Sequence, residues 1–202
     1  GVAADGLVGA VVVGEDQPLF GDEGGRTAVD QLEEQDVLDM LWEKTGILYE
    51  FAGRAGASIG LLEQDIHHPT VEAVAKFTSK CGTAFQIQDD VLGIVGDSKN
   101  LGKQVGADVR EGKRTIIVLH SLRNLSEADR QTVLQTLGNH DASEDEVQQT
   151  IKLLDKGGGI DHARELADQY VAEAVKHLDS LADSGHKQLL LEWSNFIVQR
   201  ER

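Results

Sequence analysis

The sequence predicts an all-α fold, and three observations carry that prediction. Apolar residues recur at spacings of three and four over most of the chain from Asp36 onward, as they do in helices with one buried face. Two prolines and few aromatics in 202 residues, with 40% apolar content, suit helices better than a sandwich of many turns and aromatic strands. No stretch alternates strand, loop and helix as a parallel sheet requires.

Residues 1–35 form a poorly defined N-terminal segment. Seven glycines fall in the first 25 positions around one apolar run, Val8 to Val13, without a helical period. From Asp36 the pattern changes, and residues 36–202 read as one helical portion. Val37, Leu38, Leu41, Thr45, Leu48, Tyr49 and Ala52 predict one helix face, with Gly53, Gly56 and Gly60 loosening its far end. A loop at His67-His68-Pro69 precedes a second long helix, Val71 to about Gly96, largely buried through Val74, Phe77, Cys81, Ala84, Phe85, Gln88, Leu92 and Val95.

Residues 97–113 are polar and carry Gly102, Gly106 and Gly112, so they read as a long functional loop. Thr115 to Leu125 is apolar and helical in pattern. Ser126 with Asp129, and Ser143 with Glu146, have the capping-box spacing that opens further helices. Gly157-Gly158-Gly159 reads as a helix end and turn, and His162 to Leu181 and His186 to Arg202 complete at least six helices.

Composition narrows the function. Asp and Glu number 35 against 19 Lys and Arg, a formal charge of −16 that repels a nucleic-acid backbone or an anionic membrane at long range. The excess fits a surface of scattered solvated carboxylates or adaptation to high salt. Cys81 is a single cysteine and cannot form an internal disulfide, which suits a reducing compartment. No apolar run approaches the roughly 18 residues of a membrane span, and no charged region precedes the apolar stretch near Gly1. The expectation is a cytoplasmic protein with no nucleic-acid partner and no integral membrane segment.

The chemistry is concentrated in Phe85-Gln86-Ile87-Gln88-Asp89-Asp90, followed by Asp97, Lys103, Asp108 and Lys113. On a helix Gln86, Asp89, Asp90, Gly93 and Asp97 share a stripe. Adjacent carboxylates among apolar neighbours are costly to bury unpaired, so a cation should compensate them. Hard oxygen donors with room for water suit Mg2+, and lysines just beyond the carboxylates suit a polyphosphate bridged by that ion.

The string FQIQDDVLGIVGD with LGKQVGADVREGKRT resembles the second aspartate-rich region of the trans-isoprenyl diphosphate synthases, the farnesyl and geranylgeranyl diphosphate synthase family. Upstream, WEKTGILYEFAGRAGA at Trp42 to Ala57 resembles the family's Lys-Thr helix. The resemblance covers about residues 36–202 and implies a helical bundle around a central cavity. It implies that Lys44 contacts an allylic diphosphate and Thr45 lies near the reacting carbons, with Gln86 at the FQ position. Asp89 and Asp90 then match the first two acids of the second magnesium site, and Lys103 and Lys113 are the lysines of the following loop. Asp108 fills a GxD position that helps hold the loop or the metal, while Arg110 and Arg114 read as loop charges.

Two departures stand out. The third acid of a DDxxD motif falls on Gly93, leaving Asp97 as a substitute ligand. The family's first DDxxD motif with its arginine pair is absent from residues 1–88, since Glu15-Asp16, Asp22-Glu23 and Glu33-Glu34 lack its spacing. The expectation is a C-terminal portion of a synthase, its N-terminal part not represented.

The implied reaction is ionisation of an allylic prenyl diphosphate, alkylation of isopentenyl diphosphate by the resulting cation and loss of a proton, with Mg2+ as cofactor and a homodimer as the assembly. The competing readings are a non-catalytic helical subunit or truncated homologue, and a terpene cyclase. His67 and His68 read as loop residues, Cys81 as a small core residue, and Trp42 and Trp193 as core anchors.

Overall fold

The computed structural model describes residues 32–95 and 106–199. Asp97 and Lys103 lie outside the described residues, as does most of the N-terminal segment. In chain order the elements are α1 (Glu34–Leu41), a π-helical turn (Trp42–Gly46), α2 (Ile47–Leu61), α3 (Pro69–Val95), α4 (Ala107–Arg110), α5 (Ile116–Asn124), α6 (Glu127–Thr136), α7 (Glu144–Lys156), α8 (Gly159–Lys176) and α9 (Gly185–Gln199). Among the described residues there is no strand. The fold is all-α.

α3 is the central rod, packed along α2 on one side and α8 on another, with α9 leaning on both α3 and α8. One core cluster gathers Ile87, Val91 and Ile94 of α3 with Ile117 and Leu122 of α5 and Ala163 and Ala167 of α8. A second joins Phe77, Cys81 and Ala84 to Leu178 and Ile197. Each fully buried large apolar side chain here stabilises the fold by about 1.5–3 kcal/mol. Trp193 closes this second cluster, stacked on Tyr49 at 6.0 Å and edge-on to Phe77 at 5.9 Å.

The single helix face expected from Val37 to Ala52 does not exist, because the π turn interrupts it. A π turn holds one residue more than an α turn, which rotates all that follows by about 100°. Val37, Leu38 and Leu41 are buried before the turn, whereas Leu48 is 64% exposed after it and Ala52 is exposed too. Gly46 and Gly53 face inward instead. The glycines do not loosen the helix: α2 runs unbroken to Leu61 and stops at Leu62, whose φ is 54°.

These glycines mark where helices touch. A Cβ on Gly53 would sit 2.1 Å from Thr78 Oγ1, and one on Gly82 would sit 3.0 Å from Gly46 Cα. Trp42 is also not a core anchor. It is 37% exposed, with its indole N–H donating to Ser79 Oγ at 2.8 Å.

The remaining elements follow their local signals, with shifted ends. Pro69 opens α3, where its missing N–H costs nothing. Thr115 Oγ1 caps α5 by accepting from Val118 N at 3.4 Å. Ser143 and Glu146 form a complete capping box, whereas at α6 Ser126 Oγ accepts from Asp129 N at 3.3 Å without the reciprocal backbone bond. α8 begins three residues before His162 and ends at Lys176 rather than Leu181. The loop expected over 97–113 contains the helical turn α4. Among the described residues no helix is long and apolar enough to cross a membrane.

Candidate active site

The expected site residues come from four places: the π turn (Lys44, Thr45), the middle and end of α3 (Gln86, Asp89, Asp90), α4 (Asp108) and the turn before α5 (Lys113). The crossing of the π turn over α3 at Gly46 and Gly82 sets the first contact. With the two backbones this close, Thr45 Oγ1 donates to Gln86 Oε1 at 2.8 Å. Gln86 is 8% exposed, so this bond gives its buried amide oxygen a donor and fixes the orientation of the side chain.

One turn further along α3 lies Asp90, half-buried. Its pKa is pushed up to about 7, first by burial, then by the Asp108 carboxylate, with a smaller contribution from Asp89. Lys113 and Lys44 pull in the opposite direction. Asp90 therefore senses Lys44, Asp89, Asp108 and Lys113 together, two lysines set against three carboxylates. Lys44 and Asp89 are exposed, so this end of α3 is open to solvent.

Asp108 is 6% exposed and its partner is Lys113, whose Nζ donates to Asp108 Oδ1 at 2.5 Å. Glu111 lies 3.4 Å from the same ammonium. Burial works to lower the Lys113 pKa, but the bond and the two negative charges outweigh it and leave it raised. Arg110, expected as a loop charge, ties α4 to α7 instead. It donates to the Ala142 carbonyl at 3.3 Å and to Glu144 Oε2 at 3.0 Å.

Gly93 explains how Asp108 reaches α3. A Cβ at residue 93 would lie 2.3 Å from Asp108 Oδ2 and 3.0 Å from its carboxyl carbon. The space an acid at position 93 would fill is thus occupied by a carboxylate delivered from α4. The sequence signalled only that the third acid was missing; the delivery of Asp108 into that slot depends on tertiary packing.

Asp89, Asp90 and Asp108 do not draw three ligating oxygens within 4.8 Å of one another. Among the described residues that degree of closeness occurs in one group, elsewhere in the fold. The aspartates form an open set, of the kind that holds a hard ion through one or two carboxylates while water and substrate oxygens complete the shell.

An open carboxylate and lysine cluster at the end of a central helix has the donor set that suits a hard divalent cation and an anionic ligand. The polyprenyl synthetase family model matches residues 15–154, and the chain belongs to that family. The chain is 42% identical over 120 residues to the short chain isoprenyl diphosphate synthase of Methanocaldococcus jannaschii, a match covering 59% of this chain and 36% of that protein. Its fold is similar to the crystal structure of geranylgeranyl pyrophosphate synthetase from Pyrococcus horikoshii, with 36% identity, a TM-score of 0.74 and coverage of 84% of this chain and 50% of that one. It is also similar to a polyprenyl synthase from Caulobacter crescentus crystallised with calcium and isoprenyl diphosphate, at 26% identity, TM-score 0.77 and coverage of 85% and 51%. The chain spans about half the length, or less, of the relatives it matches.

Proposed function

We propose that this chain carries the diphosphate-holding half of a prenyl diphosphate synthase site. The complete site would condense isopentenyl diphosphate with an allylic prenyl diphosphate. The observation that carries this reading is Asp90, a half-buried carboxyl beside Asp108 and Asp89, with Lys44 and Lys113 as cationic neighbours. Such a group is costly to ionise alone and becomes favourable when a divalent cation arrives.

Asp89, Asp90 and Asp108, with Asp97 beyond them, would hold Mg2+. Bound there, the ion supplies charge neutralisation for a diphosphate leaving group. Lys44 and Lys113, with Lys103 as the further lysine of the sequence motif, would bind the diphosphate oxygens and complement the charge that grows as the allylic C–O bond breaks. Thr45, hydrogen-bonded to Gln86, takes the role beside the reacting carbons, where excluding water protects the cation. The calcium and isoprenyl diphosphate in the Caulobacter crescentus relative support this choice of ligands. The reading includes a cytoplasmic homodimer. The outer face of α2, with Ile47, Leu48, Phe51 and Ile59 exposed, supports coverage of that helix by protein.

Residues 1–88 contain no DDxxD with an arginine pair, so the 202-residue chain alone is expected to bind Mg2+-pyrophosphate weakly and to form no condensed product. Supplying the N-terminal half of a relative as a second chain should restore product formation from isopentenyl diphosphate and an allylic diphosphate. Asp89→Ala should then lower the restored turnover by roughly two to four orders of magnitude. Restored turnover that is indifferent to Asp89→Ala would remove the metal role from α3.

A further inference from the structure

Away from the aspartate cluster, three side chains with metal-ligating atoms meet from three helices. Glu34 stands in the first turn of α1, His120 in α5 and His162 in the first turn of α8. His162 Nε2 lies 2.7 Å from Glu34 Oε2, across 128 residues of sequence. The imidazoles of His120 and His162 stack with centroids 3.9 Å apart and planes 18° from parallel. One ligand atom from each of the three residues lies within 4.8 Å of the other two.

An ion pair would explain Glu34 and His162 but not His120, whose ring nitrogens find no hydrogen bond among the described residues. The nearby Arg123 is engaged elsewhere, donating to the Leu32 carbonyl at 2.9 Å and to Glu33 Oε2 at 3.0 Å. Glu34 and His162 are 35% and 28% exposed at their side chains, which leaves a path from solvent.

We propose that Glu34, His120 and His162 form a transition-metal site of the zinc type, distinct from the aspartate cluster, that clamps α1 onto α5 and α8. Two imidazoles and a carboxylate suit Zn2+ or Co2+ with water in a fourth position, whereas Mg2+ and Ca2+ require an oxygen set. Donors on a tetrahedral ion at about 2.0–2.1 Å lie roughly 3.4 Å apart. On binding, the His162 and Glu34 atoms, now 2.7 Å apart, part slightly and the wider pairs, within 4.8 Å, close, as the two stacked rings turn about their side-chain torsions to bring their in-plane lone pairs onto one ion. An ion held by three helices binds the folded chain alone, so it also raises thermal stability.

The test is titration of the metal-free 202-residue chain with Zn2+ against a chromogenic chelator, and with Co2+ followed by visible absorption. One Zn2+ per chain, an intense tetrahedral Co2+ band and a raised Tm are expected, with excess Mg2+ failing to displace the ion. His120→Gln and His162→Gln should each weaken Zn2+ binding at least tenfold, while Asp89→Asn leaves it intact. Glu34→Gln provides a third variant should a histidine change disturb folding, which far-UV circular dichroism reports. Absence of stoichiometric Zn2+ binding by the wild type would overturn the proposal. Equal affinity in wild type and a folded His120→Gln/His162→Gln double variant would overturn it as well.

Discussion

Replacing Asp90 by Asn should stabilise the metal-free protein while removing its affinity for the metal. Asn keeps the shape and removes the charge. The Asp90 carboxyl is pushed up to about 7 from its ordinary value of 3.8, because burial and the Asp108 carboxylate oppose its ionisation. That difference corresponds to roughly 4 kcal/mol, since a tenfold change in an ionisation equilibrium is about 1.36 kcal/mol. Solvent screening at a half-buried position reduces that to about 2 kcal/mol.

Between about pH 4 and pH 7 the folded chain keeps a proton that the unfolded chain has released, so stability falls as pH rises through this window and levels off above it. The Asp90→Asn variant lacks this slope. In EDTA at pH 8 its Tm should therefore exceed that of wild type by about 4–8 °C, at the 2–4 °C per kcal/mol typical of this chain length. The gap should close below pH 4, and added Mg2+ should narrow it by stabilising only the wild type. Thermal unfolding followed by circular dichroism across pH 4–8 measures all of this. A gap that does not change with pH, or a less stable variant at pH 8, would refute the electrostatic account of Asp90.

Further outcomes follow from close contacts and burial. Gly93→Ala would place a methyl 2.3 Å from Asp108 Oδ2, and should cost about 1–3 kcal/mol in denaturant unfolding. The same variant should loosen the Asp108–Lys113 pair, which an unchanged Mg2+-pyrophosphate affinity would contradict. Gly82→Ala meets Tyr49 Cβ at 2.8 Å and Gly46 Cα at 3.0 Å, and should be at least as destabilising, because one neighbour is backbone and cannot swing away. The Cys81 thiol, pushed up to about 12 by burial, should resist a thiol reagent at pH 8 in the folded chain and react promptly in denaturant. Fast native-state labelling would show that α3 opens locally.

Much of this protein is legible in one dimension, because the relevant signals are local. The period of Val71 to Val95 announces a long buried helix, and the Ser143 and Glu146 spacing announces a helix start; in both cases the residues that make the structure lie within a turn or two of each other. The adjacent acids of Gln86 to Asp90 likewise mark one end of one helix, and the family could be read from that stretch together with Lys44 and Thr45.

What the tertiary structure decided involves residues far apart in the chain. The π turn takes its register from Gly46 seated against Gly82 of α3, and the extra residue in that turn sends Leu48 outward although its apolar spacing pointed inward. Asp108 occupies the slot above Gly93 because α4 folds back over the end of α3. Glu34, His120 and His162 likewise belong to three separate helices. Local periodicity reports which residues share a face of a helix, but the rotation of that face, and the side chains that meet across it, are set by packing against partners distant in sequence.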